Sequence, residues 1–124
     1  MNDINKQELL FLKGIESFNN KKFYDAHELW EELWSEHALK DSLFIQGLIQ
    51  LSVAFFHITN FNLIGSKNLF NKSLPKLEKF SSNHRNLNLS EIIESAKNCL
   101  DKVNSINKAN EFDWDLTPKI VKIV

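Results

Sequence analysis

The sequence predicts an all-α fold: a single bundle of about five helices arranged as packed helical hairpins, with an extended C-terminal tail. The 124 residues include only three glycines and two prolines, which argues against an all-β or glycine-loop architecture. Apolar residues recur at helical spacing in five successive segments. Hydrophobic residues form 43% of the chain and charged residues 25%, a balance typical of a globular domain that buries its own core.

Each helix is predicted from its apolar period and its end signals. The predicted helices span about 4–19, 22–37, 42–60, 63–80 and 88–106. Asp41 or Ser42 is expected to cap the third helix, and Asn88 with Glu91 forms a capping box at the start of the fifth. Pro75 should kink or divide the fourth helix. The third helix is apolar over most of its circumference, which predicts a central position in the bundle.

The C-terminal segment follows a different period. Phe112, Trp114 and Leu116 alternate with polar residues, and a period of two indicates an extended segment. We therefore predict a helical domain over residues 1–110 and an extended tail over residues 111–124 that packs on the bundle. Binding of the tail to a partner is the alternative.

Composition and motifs argue against several functions. Fifteen basic and sixteen acidic residues give a net charge of -1, so no nucleic-acid partner is expected. Cys99 is the only cysteine, which excludes a disulfide framework and a cysteine-based zinc site within one chain. The sequence has no glycine-rich phosphate-binding motif and no G-x-S-x-G motif.

No membrane or export segment is predicted. The most apolar stretch, Leu43 to Ile58, is shorter than the roughly 20 residues that span a bilayer. The first residues lack the basic start and apolar run of a signal peptide. We therefore expect a cytoplasmic protein without a membrane partner.

Two helices carry the residues best suited to chemistry. His27 and Glu31 are one helical turn apart, so they can contact each other or share a ligand. The pair is either an acid–base or metal-binding element, or a half-buried histidine oriented by a carboxylate. On the third helix, Gln46, Gln50 and His57 form a narrow polar stripe. This stripe faces either water or the second helix.

If the stripe faces the second helix, His27, Glu31, Gln50 and His57 form one cluster. Two histidines and a glutamate on facing helices are a common way to build a metal site in a bundle. His27, Glu31 and His57 are therefore candidate ligands of a divalent metal, the only cofactor that the residues suggest. A di-iron site is not supported, because no facing helix offers a second carboxylate.

The second helix also has an acidic face and two tryptophans. The acidic face consists of Asp25, Glu28, Glu32 and Glu36. It is either a solvated surface or a docking surface for a basic partner. Trp30 and Trp34 are expected to form core or the wall of a groove.

A family resemblance rests on one motif centred on the second helix and two weaker ones. The strongest is the run Phe18-Asn19-x3-Phe23-Tyr24-Asp25-Ala26-His27-Glu28-Leu29-Trp30-Glu31-x2-Trp34. The others lie over residues 46–57 and 62–69, where Ser66 replaces the alanine usual after Gly65. The chain resembles the uncharacterised domain-of-unknown-function family 309. The resemblance implies an all-α bundle and supplies no activity. It implies that six candidate residues occupy motif positions: His27, Glu28, Glu31, Trp34, Gln50 and His57.

Two function classes remain open. The first is an interaction or scaffold module with a protein partner, supported by the acidic face, the hairpin-like spacing and the aromatic tail. The second is a small metal-dependent or acid–base enzyme, hydrolase-like, that uses His27, Glu31 and His57. The apolar surface of the third helix and the tail could also form a homodimer.

Overall fold

Five α-helices form the part of the chain that the structure describes, in agreement with the predicted all-α fold. The computed structural model describes residues 3–123, so residues 1, 2 and 124 of the predicted domain and tail lie outside it. The helices are α1 (Asp3–Asn19), α2 (Phe23–Glu36), α3 (Ser42–Thr59), α4 (Leu63–Leu77) and α5 (Leu89–Ser105). Consecutive helices pack on each other along the whole chain. This arrangement corresponds to the predicted series of hairpins.

Helices α1 and α2 pack through a glycine and a tryptophan. The Trp30 ring lies directly against Gly14, where a Cβ atom would come within 2.5 Å of the indole carbons Cδ1 and Cε2. The indole N–H donates to the Phe11 carbonyl at 3.2 Å, and Trp30 is fully buried. Because glycine has no side chain, the two helices approach closely enough to enclose the largest residue of the core.

Helix α3 is the central helix, as its apolar circumference predicts. Half of its 18 residues are buried, and they pack between α2 and α4. Gly47 lets α4 approach, because a Cβ atom there would meet Leu77 at 2.8 Å. The Ser73 hydroxyl donates to the Gly47 carbonyl at 2.6 Å. Within residues 3–123, α3 is the one helix long and apolar enough to span a membrane, a property that the core helix of a bundle shares.

The ends of three helices differ from the predictions. Pro75 does not divide helix α4, which is continuous from Leu63 to Leu77 and contains Pro75 in its last turn. The helix ends two residues after Pro75 rather than near residue 80. Asp41 and Asn88 occupy the N-cap positions of α3 and α5, but neither side chain caps a backbone N–H. The predicted caps are therefore wrong. Both side chains bind other parts of the chain instead.

The tail packs on the bundle and is not extended throughout, because one short 3-10 turn ends at its first residue and a second lies within it. The turns span Ala109–Glu111 and Trp114–Leu116. Phe112 and Ile120 are buried, and the Trp114 ring stacks on Phe23 with 5.9 Å between the ring centroids. These contacts place the aromatic side chains of the tail in the core, where they close the bundle.

Candidate functional site

The candidate site is a small cavity between α2 and α3, here called the α2–α3 cavity. Five residues line it: Tyr24, His27, Val53, Phe56 and His57. Its volume is about 170 Å³. The two imidazoles therefore share one cavity. Its other walls are aromatic or aliphatic.

His27 is held by a carboxylate and an aromatic ring. Its Nε2 atom lies 2.8 Å from Glu31 Oε2, as the spacing of one helical turn predicts. The Tyr24 ring centroid is 5.5 Å from the His27 ring and 5.3 Å from the Phe56 ring. Only 24% of the His27 side chain is exposed. Glu31 therefore fixes the orientation of an imidazole that faces an apolar cavity.

His57 is fixed by the turn that joins α3 to α4. Its Nδ1 atom lies 3.3 Å from Asn62 Nδ2, and Asn62 Oδ1 accepts the Gly65 N–H at 2.9 Å. That second bond sets the orientation of the amide, so Asn62 donates and His57 Nδ1 accepts. A neutral His57 then carries its proton on Nε2. A Cβ atom at Gly65 would lie 2.6 Å from Asn62 Nδ2 and 3.0 Å from His57 Cδ2, so the glycine makes room for the Asn62 amide and for this ring.

The six motif residues divide between two surfaces. His27, Glu31 and His57 lie at the cavity. Trp34 and Gln50 lie on the same sides of their helices, one to two turns away by helical spacing. Glu28 lies elsewhere, in an exposed acidic depression with Asp25 and Glu32. The structure thus brings His27, Glu31 and His57 to one place, and it does not bring Glu28 there.

Among the described residues, the cluster has neither a set of metal ligands nor a continuous network of hydrogen bonds. No group of three or more histidine, cysteine or acidic side chains that could hold a metal ion occurs in residues 3–123. His27, Glu31 and His57 therefore do not form such a group in this conformation. Gln50 Oε1 is buried and has no hydrogen-bond partner. The polar stripe of α3 is half-buried. This lies between the two predicted alternatives, a stripe that faces water and one that faces the second helix.

A second cluster joins residues that no sequence pattern connects. Arg85 donates to both carboxylate oxygens of Asp41, at 2.6 and 2.9 Å, and His84 Nε2 lies 2.8 Å from the same carboxylate. Burial alone would raise the pKa of Asp41, but these hydrogen bonds outweigh it and lower the pKa from 3.8 to about 2. The Arg85 guanidinium also lies over the Phe11 ring at 4.5 Å.

The lone cysteine is unsuited to chemistry. Cys99 is buried in α5. Burial, reinforced by the charge of Asp113, raises the pKa of its thiol to about 12. A thiol in this environment is not a nucleophile at neutral pH.

The comparisons with known proteins concern the part of the chain that holds the α2–α3 cavity. The description of the matching family model is domain of unknown function (DUF309). Residues 11–69 resemble the DUF309 family. This DUF309 segment contains all of α2 and α3 and every residue that lines the cavity. His84, Arg85 and the tail lie outside the segment. None of the curated proteins compared with the chain matches it.

Proposed function

We propose that the protein is an interaction module that takes one apolar side chain of a partner segment into the α2–α3 cavity. The observation that carries the proposal is the size and lining of this cavity. An apolar cavity of about 150 Å³ holds a benzene ring, so about 170 Å³ suits one leucine or phenylalanine side chain. Sites for whole small molecules are typically about 300–1,000 Å³. The cavity therefore fits an anchoring side chain better than a complete substrate.

The surroundings of the cavity support a peptide partner. Tyr24, which lines the cavity, is 49% exposed, and Trp34, farther along the same side of α2, is 40% exposed. Tyrosine and tryptophan are the side chains that most often dominate binding energy at protein interfaces. Half-exposed aromatic rings beside an anchoring cavity are typical of such an interface.

Selection of peptides on the full chain tests this proposal. A displayed library of random 12-residue peptides is selected on wild type, and the affinities of enriched peptides are measured by calorimetry. We expect enrichment of peptides with one large apolar residue and micromolar affinity. Tyr24→Ser and Trp34→Ser should each weaken binding about tenfold or more, because each removes a half-exposed ring. Ile4→Ser, which removes a 74% exposed side chain on α1, is the matched control.

Two results would contradict the interaction module. One is the absence of any enriched peptide. The other is equal binding of the enriched peptides to wild type, Tyr24→Ser and Trp34→Ser.

Acid–base or metal-dependent catalysis is the second candidate function. The observation that favours it is the pair of imidazoles in one cavity, one of them oriented by Glu31 at 2.8 Å. Thermal unfolding with a panel of divalent metals separates the two candidates. A metal that raises the midpoint of wild type, but not of His27→Ala or His57→Ala, would establish a shared metal site. Equal responses of all three proteins would count against metal-dependent catalysis.

A further inference from the structure

A second surface of the molecule exposes a phenylalanine in a strained turn. Phe61 lies between α3 and α4, has a φ angle of 59° and is 79% exposed. The turn is a Schellman motif, in which Asn62 N–H donates to the His57 carbonyl and Phe61 N–H to the Ile58 carbonyl. Glycine or asparagine is usual at this left-handed position, because a bulky side chain is strained there. Folding therefore does not explain why a phenylalanine occupies it.

Two cavities meet at this side chain. One, of about 650 Å³, lies beside Phe61 and Ile64, and the other, of about 480 Å³, reaches Phe23 and Trp114. Phe61, Ala109 and Asn110 line both of them. Ile64 adds a second strongly exposed apolar side chain at 74%. The two cavities form one concave region, here called the Phe61 surface.

The charge of the Phe61 surface has one sign. Lys67 and Lys108 line the first cavity and Lys21 lines the second. No carboxylate side chain lines either cavity. Glu111 lies next to this surface, where its carboxylate accepts the Asn107 N–H at 3.2 Å. The three lysines outnumber it, so the surface has an excess of positive charge in a chain that is nearly neutral as a whole. Electrostatic complementarity selects an acidic partner for such a surface.

We propose that the Phe61 surface binds an acidic segment of a partner protein that carries an apolar side chain. The three lysines would pair with its carboxylates, and its apolar side chain would pack against Phe61 and Ile64. The concave shape favours a chain segment, whose side chains can enter the two cavities, over a flat bilayer. This surface is distinct from the α2–α3 cavity, and the proposal does not depend on the function proposed there.

Fluorescence polarisation with three matched labelled peptides tests the proposal. The probe is a 12-residue peptide with a central phenylalanine between glutamates. One comparison peptide has serine in place of the phenylalanine, and the other has lysines in place of the glutamates. We expect wild type to bind the probe at least about tenfold more tightly than either comparison peptide, and less tightly as salt increases.

Substitutions in the protein test whether the probe peptide binds at the Phe61 surface. Phe61→Asn removes the ring and suits the left-handed backbone, so it should preserve the fold and weaken probe binding about tenfold. Lys67→Glu with Lys108→Glu should abolish binding. The matched controls are Ile4→Asn and Lys79→Glu, which alter exposed residues elsewhere. Trp34→Ser should leave probe binding unchanged, which separates this result from the test of the α2–α3 cavity.

Four outcomes would overturn the proposal. The first is equal binding of the three peptides, and the second is unchanged probe binding by Phe61→Asn. The third is Phe61-dependent binding to phosphatidylserine-containing vesicles without binding of the acidic peptide. The fourth is a dimer in light scattering that Phe61→Asn dissociates, because a second copy would then occupy the surface.

Discussion

Gly14 shows how a single missing side chain determines the packing of two helices. Glycine inside a helix is ordinarily about 1 kcal/mol less favourable than alanine. At this position the Trp30 ring occupies the space that a Cβ atom would need, and a hydrogen bond to the Phe11 carbonyl holds the ring there. Tertiary packing therefore reverses the order that helix propensity alone would predict.

We expect Gly14→Ala to destabilise the protein by about 2 kcal/mol, since overpacking a core typically costs about 1–3 kcal/mol. Urea unfolding monitored by circular dichroism measures the change. Lys13→Ala, at the neighbouring exposed position, is the control and should change stability by less than about 0.5 kcal/mol. A more stable Gly14→Ala protein would mean that Trp30 does not occupy this place in solution.

The start of α3 is joined to the loop before α5 by one partly buried carboxylate. Only 17% of the Asp41 side chain is exposed, and Arg85 binds it with two parallel hydrogen bonds. Arg85 and Asn86 both have positive φ angles, of 54° and 59°. Two consecutive residues in this conformation are strained. The ion pair with Asp41 offsets that strain and fixes the turn.

This ion pair should appear in the acid unfolding of the protein. The pKa of Asp41 is lower in the folded state, about 2, than its ordinary value of 3.8. The resulting stability is complete above pH 4 and is lost as pH falls toward 2, because the unfolded state binds the proton first. The difference in unfolding free energy between wild type and Asp41→Asn should therefore shrink by about 2 kcal/mol from pH 6 to pH 2.

Urea unfolding at pH 6, 4 and 2 measures this difference. Asp101→Asn, which changes an exposed carboxylate on α5, is the matched control. A difference between wild type and Asp41→Asn that stays constant over this range would show that Asp41 is not paired in solution.

The helices could be predicted from the sequence, but the roles of their first residues could not. Helical periodicity depends only on neighbouring residues, so it places all five helices correctly. Asp41 and Asn88 have good cap residue types, yet Asp41 binds Arg85, and the Asn88 side chain binds the backbone of Lys119 and Val121. Local preferences of about 1 kcal/mol are overridden by partners more than 30 residues away, which no local pattern identifies.

At the two histidine sites, too, a contact within one helix could be predicted, whereas contacts between distant segments could not. His27 and Glu31 are one turn apart in one helix, so their contact could be predicted. His57 lies beside them only because its side of α3 packs against α2. The sequence left open whether this side of α3 faces α2 or water. His84 is 43 residues from Asp41 and lies in a loop without periodicity. Nothing in the sequence pointed to that contact.

At the scale of the whole molecule, the tail joins the end of α1 to the loop before α5. The Asn19 side chain donates to the Ile120 carbonyl and accepts the Ile120 N–H, both at 2.9 Å. Ile123 N–H donates to the Asn86 carbonyl at 2.8 Å. Phe112, in the same tail, is buried, with 5% of its surface exposed. The tail is therefore a part of the folded core.

We expect Phe112→Ala to destabilise the whole bundle by about 3 kcal/mol in a single cooperative transition, because it removes a buried aromatic side chain. Chemical unfolding followed by far-UV circular dichroism measures this loss. Val121→Ala, at a half-exposed tail position, should change stability by less than about 0.5 kcal/mol. If the two variants were equally stable, the tail would not be docked on the helices in solution.

The three tryptophans give the molecule its own optical probes. Trp30 is fully buried, Trp34 is 40% exposed beside the α2–α3 cavity, and Trp114 is half-buried in the tail. Iodide should quench the emission of Trp34 most and that of Trp30 least. A variant that keeps only Trp34 would report occupancy of the cavity region, and one that keeps only Trp114 would report release of the tail. Binding and tail movement can thus be followed separately without an added label.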